Sequence, residues 1–558
     1  MRLRSSSVTA PRRHQTLASP QAGLEWPRVK LPTWPWDDKR SLACAAVAAV
    51  VVALALMFFA TSPRSRLNIM QAMSVLFFTI AGIRLRARKE NPHPEPGGST
   101  ETTLILPALT MTLAAAIWAT ALNFYFINDD FGIVTATREL DLDFLAWFFG
   151  IRGKIFYRPV TYTTFAIDQV FWGQNPLGFH LTNLILHAAS TAGLFFVTRH
   201  LTSSRRAAFM TAGVFAAMPI QVESVAWMAG RFDVLSTCLS IWTVAAYLSF
   251  RARGGSARYA LALTFCALGI WSKETAFVVP LLLSAVEVLV FRRLPISRLA
   301  GFFATGSILF VWRWIALGGF GGYREGGKSY MIGFGWQTLE ALFVRGPSQL
   351  LLGFNWTQPS KLLLALAALT AALLVFLILS AHVTNERRRL IQLGCVWMFV
   401  VMIPGHFMLL IGPGLSNSRI LCLASAGMAL VLGQLLSASP QRRTRNLAYA
   451  ALCALYSLGV LHNLQAWRWT SSVGAETLRQ VVRLEPSPPE NAQFVVSNLP
   501  IDIRGVFFFQ TGLSEGLQMH YNRGDIHAYR DVAPSDAYPQ IRLKWTGDKD
   551  PVALIRRE

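Results

Sequence analysis

Long apolar runs alternate with short polar segments along most of this chain. A helix that crosses a bilayer needs about 20 largely apolar residues, and blocks of that kind, some of them shorter, recur from residue 42 onward. They lie near 42–60, 67–83, 103–122, 178–198, 207–220, 232–250, 259–272, 275–291, 299–318, 361–381, 390–411, 419–437 and 446–463. The pattern predicts an all-α polytopic membrane protein with about 13 transmembrane helices.

The polar segments divide the chain into four predicted parts. They are a disordered tail at 1–41, an appended transmembrane hairpin with a Pro- and Gly-rich linker at 42–100, a main helical bundle at 101–463, and a C-terminal domain at 464–558. The main bundle contains two long loops, at 123–177 and 319–360. A strand-like run and an amphipathic stretch in the last part predict a small α/β appendage.

The distribution of basic residues predicts how the chain crosses the membrane. The net charge is +22, yet only 15% of the residues are charged and 53% are apolar. Arginine clusters near 84–89, 199–206, 251–258, 292–298, 387–389 and 442–445 fall in alternate loops. By the positive-inside rule these loops and the N-terminus are cytoplasmic, and residues 464–558 are extracytoplasmic. We expect a bacterial inner membrane protein, with membrane lipids and not nucleic acid as partners of its positive charge.

Several short motifs carry no predicted chemistry. The six cysteines lie in apolar blocks without metal-ligand or redox spacing. The segment from Gly322 to Ser329 matches the phosphate-loop pattern, but it follows a membrane span on the side that lacks ATP. A Gly-rich loop that covers substrate is the better interpretation. Asn355 begins an N-glycosylation sequon, which is used only in a host that glycosylates proteins at this location. We attach no function to it.

Charged residues cluster on the predicted outer face of the bundle. A charged side chain near hydrocarbon depth costs about 2.5–3.5 kcal/mol, so it usually faces a cavity or a partner. These residues therefore predict a polar site between helices. Its candidate members are Asp129, Asp130, Arg158, Glu223, Arg231, Asp233, Lys273, Glu274 and Arg419.

Asp129 and Asp130 are the candidate catalytic residues. Adjacent carboxylates point in different directions, so one can hold a hydrogen bond or a cation while the other removes a proton from an acceptor hydroxyl. The alternative is that Asn128 and the two aspartates cap the helix that follows. No cofactor is firmly implied, although the acidic pair is able to hold a divalent cation.

The remaining candidates are predicted to bind substrate. His180, Asn183 and His187 share one helix face, where interhelical hydrogen bonding competes with ligand contact as the explanation. His180 lies nearest the outer surface.

The basic candidates have the chemistry to bind a phosphate. Arginine offers a two-pronged fork and lysine a point charge. Arg419 and Lys273 fit snorkelling at a helix end equally well. Glu223 and Asp233 either orient these cations and bind ligand hydroxyls or form an internal salt bridge with Arg231.

Ordered motifs over roughly residues 100–430 resemble the GT-C superfamily of membrane glycosyltransferases, and most closely the transmembrane-and-tetratricopeptide O-mannosyltransferases. The motifs are Asn128–Asp130, Tyr157–Pro159, Gly178–Asn183 with His187, Pro219–Trp227, Gly230–Asp233, Ser272–Glu274, Ser418–Leu421 and Ala424–Gly427. The resemblance implies a GT-C-like bundle, catalysis at Asp129 and Asp130, and a sugar donor on a polyprenyl phosphate. The chain departs from these relatives in lacking tetratricopeptide repeats.

We therefore predict an enzyme that transfers a sugar from a polyprenyl-phosphate carrier to an extracytoplasmic hydroxyl by inverting displacement. The resemblance makes mannose a candidate sugar, and the acceptor is a protein, a lipid or a glycan. The alternatives are a transporter or lipid flippase and a catalytically inactive scaffold. A transporter would place polar residues near the midplane and break its helices, whereas here most charges cluster at one face.

Overall fold

The computed structural model describes residues 101–138, 156–322, 324–325, 328–329, 335–533, 537–547 and 554–557. The tail, the hairpin blocks near 42–60 and 67–83 and their linker lie outside the described residues.

Helices make up the first part of the bundle. In chain order they are α1 (Glu101–Trp118), α2 (Asp129–Ala136), α3 (Pro159–Trp172), α4 (Pro176–Thr202), α5 (Arg205–Ala217), α6 (Val222–Ala226), α7 (Arg231–Arg253), α8 (Ser256–Ser272), α9 (Val279–Leu289) and α10 (Ile296–Leu317). Short 3₁₀ turns join several of them, at Ala119–Asn123, Pro219–Gln221, Met228–Gly230 and Glu274–Val278.

The second part begins with two very short strands. These are β1 (Arg324–Glu325) and β2 (Lys328–Ser329), which pair antiparallel within the segment that matches the phosphate-loop pattern. A hairpin differs from the strand–loop–helix order that a phosphate loop requires. The helices that follow are α11 (Trp336–Glu340), α12 (Gly346–Leu351), α13 (Lys361–Ser380), α14 (Asn385–His406), α15 (Cys422–Ser437) and α16 (Arg442–Leu484).

The helical lengths confirm a multi-pass membrane protein. In the described residues, eight helices are long and apolar enough to span a membrane, and the bent pair formed by α5 with Pro219–Ala226 brings the number to nine. The predicted blocks near 259–272 and 275–291 correspond to α8, with 17 residues, and α9, with 11. Each apolar block predicted within the described range therefore contains a helix.

Local sequence explains where several spans begin. Asn175 caps α4 by accepting a hydrogen bond from the amide of Leu177 at 3.2 Å, and Pro176 occupies the first turn. Ser204 and Thr384 cap α5 and α14 in the same way. Side-chain oxygens at these positions satisfy amides that have no partner inside the helix.

Small residues allow close packing around a buried central span. Every residue of α15 is buried among its neighbours. A Cβ atom added to Gly394 of α14 would lie 2.6 Å from the carbonyl oxygen of Gly427 in α15. Glycine at both positions therefore lets the two backbones touch, as is common between membrane helices.

The ends of the helices separate two kinds of residue. The arginine clusters between Arg199 and Arg445 lie at one set of ends, where α4 meets α5, α7 meets α8, and α15 meets α16. Asp129, Lys273 and Arg419 lie at the opposite ends, after α1, after α8 and before α15. The tertiary structure thus gathers the candidate site at the face away from the arginine clusters.

The C-terminal part is built on an unusually long helix. Helix α16 has 43 residues, which corresponds to a length of about 65 Å, roughly twice the hydrocarbon thickness of a bilayer. The boundary that we predict at residue 464 falls inside this helix. The sequence beyond it forms β3 (Gln493–Ser497), β4 (Asp502–Ile503), β5 (Val506–Phe507), α17 (Leu513–Tyr521), β6 (His527–Arg530), β7 (Gln540–Trp545) and β8 (Ile555–Arg557).

The small α/β appendage predicted for the C-terminal region is confirmed. A four-stranded sheet has the order β6-β3-β7-β8. Strand β3 runs parallel to both of its neighbours, β6 and β7. Strand β8 pairs antiparallel with β7. Strands β4 and β5 form a separate hairpin. Phe508 packs against Trp545 with ring centroids 5.3 Å apart, which links this hairpin region to the sheet.

Candidate active site

Asp130 is a buried residue that connects two segments of the bundle. One carboxylate oxygen accepts the amide of Ile127 at 2.9 Å, and the other accepts the amide of Ala229 at 2.9 Å. Burial raises the pKa of Asp130 well above its usual value, while the two amides oppose the change. Both oxygens are occupied by the protein's own backbone, so this carboxylate is suited to holding the site together.

Asp129 lies at the start of α2 and is only partly buried. Its Oδ1 atom accepts a hydrogen bond from the side chain of Asn128 at 2.9 Å and another from the hydroxyl of Thr511. The two aspartates therefore point in different directions, and among the described residues only Asp129 accepts a hydrogen bond from a hydroxyl group, that of Thr511. Asn128 is the N-cap residue but makes no capping hydrogen bond with its side chain.

A loop of the C-terminal domain covers Asp129. The amide of Thr511 donates to the side chain of Asn128 at 3.0 Å, and the ring of Phe509 stacks on Phe131 at 5.8 Å. Gly512 has a φ of +83°, and a Cβ atom there would lie 2.1 Å from the carbonyl oxygen of Asn128. Only glycine fits this contact, which brings Thr511 to the acidic pair.

A cavity with a volume of about 830 Å³ is lined by several of the candidate residues. We call it the cationic cavity. Its polar end carries Arg158, Lys273, Glu274, Arg313 and Arg419. The rest is mainly apolar and includes Phe277, Pro280, Phe303, Phe310, Val311 and Met408.

Glu274 holds two arginines at the polar end. Arg158 donates to it through Nη2 at 2.9 Å and Nε at 3.1 Å, and Arg313 donates through Nη2 at 3.3 Å. Burial raises the pKa of Glu274, but the charges of Arg158 and Arg313 outweigh burial and lower it to about 2. Glu274 is therefore ionised at neutral pH and keeps both guanidinium groups in place.

The other two cations are also paired with carboxylates. Lys273 lies 2.5 Å from Asp233, and Arg419 lies 2.5 Å from Glu223. Burial lowers the pKa of Lys273, while the carboxylate of Asp233 opposes the change. The four cations thus face three carboxylates, and their orientations are set before any ligand binds.

Arg231 and His180 are buried outside the lining of the cationic cavity. Arg231 forms an ion pair with Asp168 at 2.5 Å and donates to Asn183 at 2.9 Å. The salt bridge that we considered between Arg231 and Glu223 or Asp233 is therefore not the one formed. Arg231 pairs with Asp168, whereas Glu223 pairs with Arg419 and Asp233 with Lys273. Asn183 also donates to the carbonyl of Trp227 at 2.8 Å, so interhelical hydrogen bonding accounts for this member of the polar stripe.

Aromatic residues pack beside Arg158 at the edge of the cationic cavity. The guanidinium of Arg158 lies 4.9 Å from the ring centroid of Phe232, which packs on Tyr162 at 5.4 Å. Burial raises the pKa of Tyr162, the charge of Arg158 opposes this, and the charge of Asp129 adds to it. Tyr162 is thus close enough to both charges to respond to them.

Sequence reasoning missed Arg313 and Thr511. Arg313 lies in the block 299–318, where a lone arginine between Trp312 and Trp314 is the kind of intramembrane charge that usually faces a cavity. That signal was available in the sequence. Thr511 offered no such signal, because its contact with Asp129 joins residues 382 positions apart.

Two further observations concern the sequon and groups that could bind a metal ion. Asn355 of the sequon is 5% exposed, and its side-chain amide donates to the carbonyl of Arg504 at 2.9 Å. This amide is therefore not accessible in the folded protein. Across the ranges that the structure describes, no group of three or more His, Cys, Asp or Glu side chains is arranged to hold a metal ion.

Comparison with solved structures gives neighbours of low sequence identity. ArnT from Cupriavidus metallidurans in the apo state aligns with 80% of this chain and 94% of its own, at 14% identity and a TM-score of 0.41. The arabinofuranosyltransferase AftD from Mycobacteria aligns with 78% of this chain and 32% of its own, at 13% identity and a TM-score of 0.44.

Comparison of sequences gives closer matches over shorter regions, and no family model matches the chain. The protein O-mannosyl-transferase Tmtc1 of Drosophila melanogaster is 32% identical over 195 residues, covering 32% of this chain and 22% of the relative. Human TMTC2, also a protein O-mannosyl-transferase, is 33% identical over 150 residues, covering 26% of this chain and 18% of the relative. The matches span about a fifth of these relatives, and over that region the chain resembles protein O-mannosyl-transferases, as its motifs indicated.

Proposed function

We propose that this protein is a membrane glycosyltransferase that moves a sugar from a polyprenyl-phosphate carrier to an acceptor hydroxyl outside the cytoplasm. The cationic cavity is the observation that carries the proposal. It combines a cluster of preoriented cations with a long apolar lining, and these match the phosphate and the hydrocarbon chain of such a donor.

The polar end offers a place for the phosphate. The Nε atom of Arg313 is buried and lacks a hydrogen-bond acceptor among the described residues. A buried donor without a partner is costly, so an incoming phosphate oxygen that accepts this hydrogen would be favourable. Arg158, Lys273 and Arg419 surround the same space and add positive charge.

The apolar end offers a path for the carrier chain. Phe303, Phe310 and Val311 of α10 line the cavity, and they are 43%, 40% and 56% exposed in the isolated protein. Side chains of this kind on a membrane span face lipid. A prenyl chain therefore reaches the cavity laterally from the bilayer while its phosphate stays at the polar end.

Asp129 is the proposed base, because both oxygens of Asp130 already bind backbone amides. Asp129 removes the proton from the acceptor hydroxyl, whose oxygen forms a bond to the anomeric carbon. The bond between that carbon and the phosphate oxygen breaks, and its electron pair leaves with the polyprenyl phosphate. The cations of the cavity stabilise the charge that develops on this phosphate.

The sugar and the acceptor are narrower proposals. Mannose is the first sugar to test because the curated relatives are named protein O-mannosyl-transferases. A hydroxyl on a protein, a lipid or a glycan is the acceptor class that this mechanism requires. The alternate arginine clusters support an extracytoplasmic site.

The test is transfer of labelled sugar in proteoliposomes that contain the full chain. Polyprenyl-phosphate mannose and polyprenyl-phosphate glucose are offered with a membrane extract as the source of acceptors. Wild type is compared with Asp129→Asn and with Arg388→Gln, an exposed arginine at the opposite end of the bundle. We expect transfer by wild type and by Arg388→Gln, and at least a hundredfold loss in Asp129→Asn.

Two results would contradict the proposal at different levels. Full transfer by a folded Asp129→Asn protein would remove Asp129 from the mechanism but keep the enzyme. Absence of transfer by wild type from every polyprenyl-phosphate sugar would reject the glycosyltransferase and favour the transporter or scaffold interpretation.

A further inference from the structure

A second cavity lies between α13, α16 and the turn that joins β4 to β5. It has a volume of about 530 Å³, and we call it the Arg504 cavity. One wall is made of leucines from α13 and α16, namely Leu362, Leu363, Leu366, Leu458 and Leu461. The opposite end is polar and contains Gln358, His462, Gln465 and Arg504.

The turn holds Arg504 in a backbone conformation that arginine rarely adopts. Ile503 pairs with Val506, so Arg504 and Gly505 form a two-residue turn, with φ angles of +56° and +82°. Turns of this kind favour asparagine followed by glycine. The backbone does not explain arginine here, and unusual residues in such positions often serve a function.

The turn is fixed against the helical bundle. A Cβ atom on Gly505 would lie 2.6 Å from the Cα atom of Gly414. The carbonyl oxygen of Arg504 accepts hydrogen bonds from Asn355 at 2.9 Å and from Thr357 at 3.1 Å. The backbone of Arg504 is therefore anchored, and its side chain lines a preformed cavity.

Among the residues that the structure describes, none is a counterion for the positive charge of Arg504. Its guanidinium stacks on the ring of Trp469 at 4.4 Å, and its Nε atom is buried without a hydrogen-bond partner. Within the described ranges its side chain forms neither an ion pair nor a hydrogen bond. In the cationic cavity, by contrast, the four cations pair with carboxylates. The Arg504 cavity therefore has the charge to take up an anion.

The leucine wall indicates what the anion is attached to. Helices α13 and α16 are long and apolar enough to cross a membrane. Leu362 is 79% exposed and Leu458 is 53% exposed in the isolated protein, as expected for side chains that contact acyl chains. We propose that the Arg504 cavity binds an anionic membrane lipid, with its phosphate on Arg504 and an acyl chain along the leucines.

This site is separate from the proposed transfer reaction, since it shares no lining residue with the cationic cavity. It joins the C-terminal domain to the bundle, because Arg504 belongs to the domain and the leucines belong to the spans. A bound lipid would therefore link the two across the membrane surface.

Native mass spectrometry of the full-length, delipidated protein in detergent tests the proposal. The probes are phosphatidylglycerol, phosphatidylcholine and inorganic phosphate. We expect wild type to retain one more phosphatidylglycerol than Arg504→Gln, with apparent affinity for that lipid at least tenfold weaker in the variant. Arg468→Gln, an exposed arginine on α16 outside the cavity lining, is the matched control and should behave as wild type.

A second variant tests the wall independently of the arginine. Leu458→Trp is expected to fill the cavity and weaken phosphatidylglycerol binding while Arg504 remains, which keeps the test valid if Arg504→Gln fails to fold. Equal retention of phosphatidylglycerol by wild type and either folded variant would overturn the proposal. Displacement of the lipid by inorganic phosphate at equal concentration would also overturn it, because the anion alone would then account for binding.

Discussion

Replacing each aspartate of the acidic pair with asparagine should separate a structural carboxylate from a catalytic one. Asp130→Asn keeps the shape of the side chain, but an amide has only one oxygen. One of the amides of Ile127 and Ala229, each now 2.9 Å from a carboxylate oxygen, would therefore face an NH₂ group.

The expected size of the effect follows from these two contacts. A hydrogen bond to a charged group contributes about 1.5–3 kcal/mol, and a buried donor left without a partner costs about 1–3 kcal/mol. Removing the buried charge offsets part of this loss. We expect Asp130→Asn to lower the free energy of unfolding by about 2 kcal/mol. Asp129→Asn retains an oxygen for Asn128 and Thr511, so its loss should stay below about 1 kcal/mol.

Two measurements on the same preparations check this contrast. Denaturant titration in detergent, followed by tryptophan fluorescence, gives the change in stability, and sugar transfer per folded molecule gives the change in activity. Asp130→Asn should lose stability and keep transfer within about tenfold, equivalent to 1.4 kcal/mol. Asp129→Asn should keep its stability and lose transfer. If Asp130→Asn is as stable as wild type but inactive, Asp130 is the base and our assignment is wrong.

Three further predictions concern the cavity and the packing of the spans. Arg313→Gln should lower transfer at least tenfold, whereas Arg313→Lys should recover part of it; equal rates in all three proteins would exclude Arg313 from phosphate binding. The pKa of Glu274 is about 2 in the folded protein, compared with its ordinary value of 4.5. The ionised Glu274 should therefore stabilise the folded state fully above pH 4.5, and this stabilisation should be lost as the pH falls through about 2. The stability difference between wild type and Glu274→Gln should therefore shrink over that range, and a constant difference would argue against the ion pairs. Gly394→Ala should destabilise by about 1–3 kcal/mol, since its Cβ atom meets a backbone carbonyl, while Gly132→Ala, which has nothing within 4 Å, should not.

Local patterns were sufficient for much of the architecture. Apolar length predicted the spans because a bilayer excludes unpaired backbone groups along a fixed thickness. The arginine clusters predicted which helix ends lie on the same side of the bundle. In the structure Lys273 and Arg419 lie at one end of the bundle, and Arg205 lies at the opposite end. The short strand run at Gln493 was visible because Phe494, Val495 and Val496 are aromatic or β-branched residues, which favour extended backbone.

The partners of the charged residues depended on the tertiary structure. Asp130 binds Ala229, Arg231 binds Asp168, and Thr511 binds Asp129. Sequence placed most of these residues on one face but left open which of them meet. That choice depends on the rotation and crossing of helices, which side-chain packing decides across the whole bundle.

The cavities show the same division. The amino-acid sequence by itself determined that this is a multi-pass membrane protein with a charged face and a small C-terminal appendage. Only the tertiary structure decided that Arg313 joins Arg158 at Glu274, and that Arg504 reaches a leucine wall on α13 and α16. The reason is physical: apolar length and periodicity act along the chain, whereas a cavity is formed by residues that become neighbours only when separate helices pack.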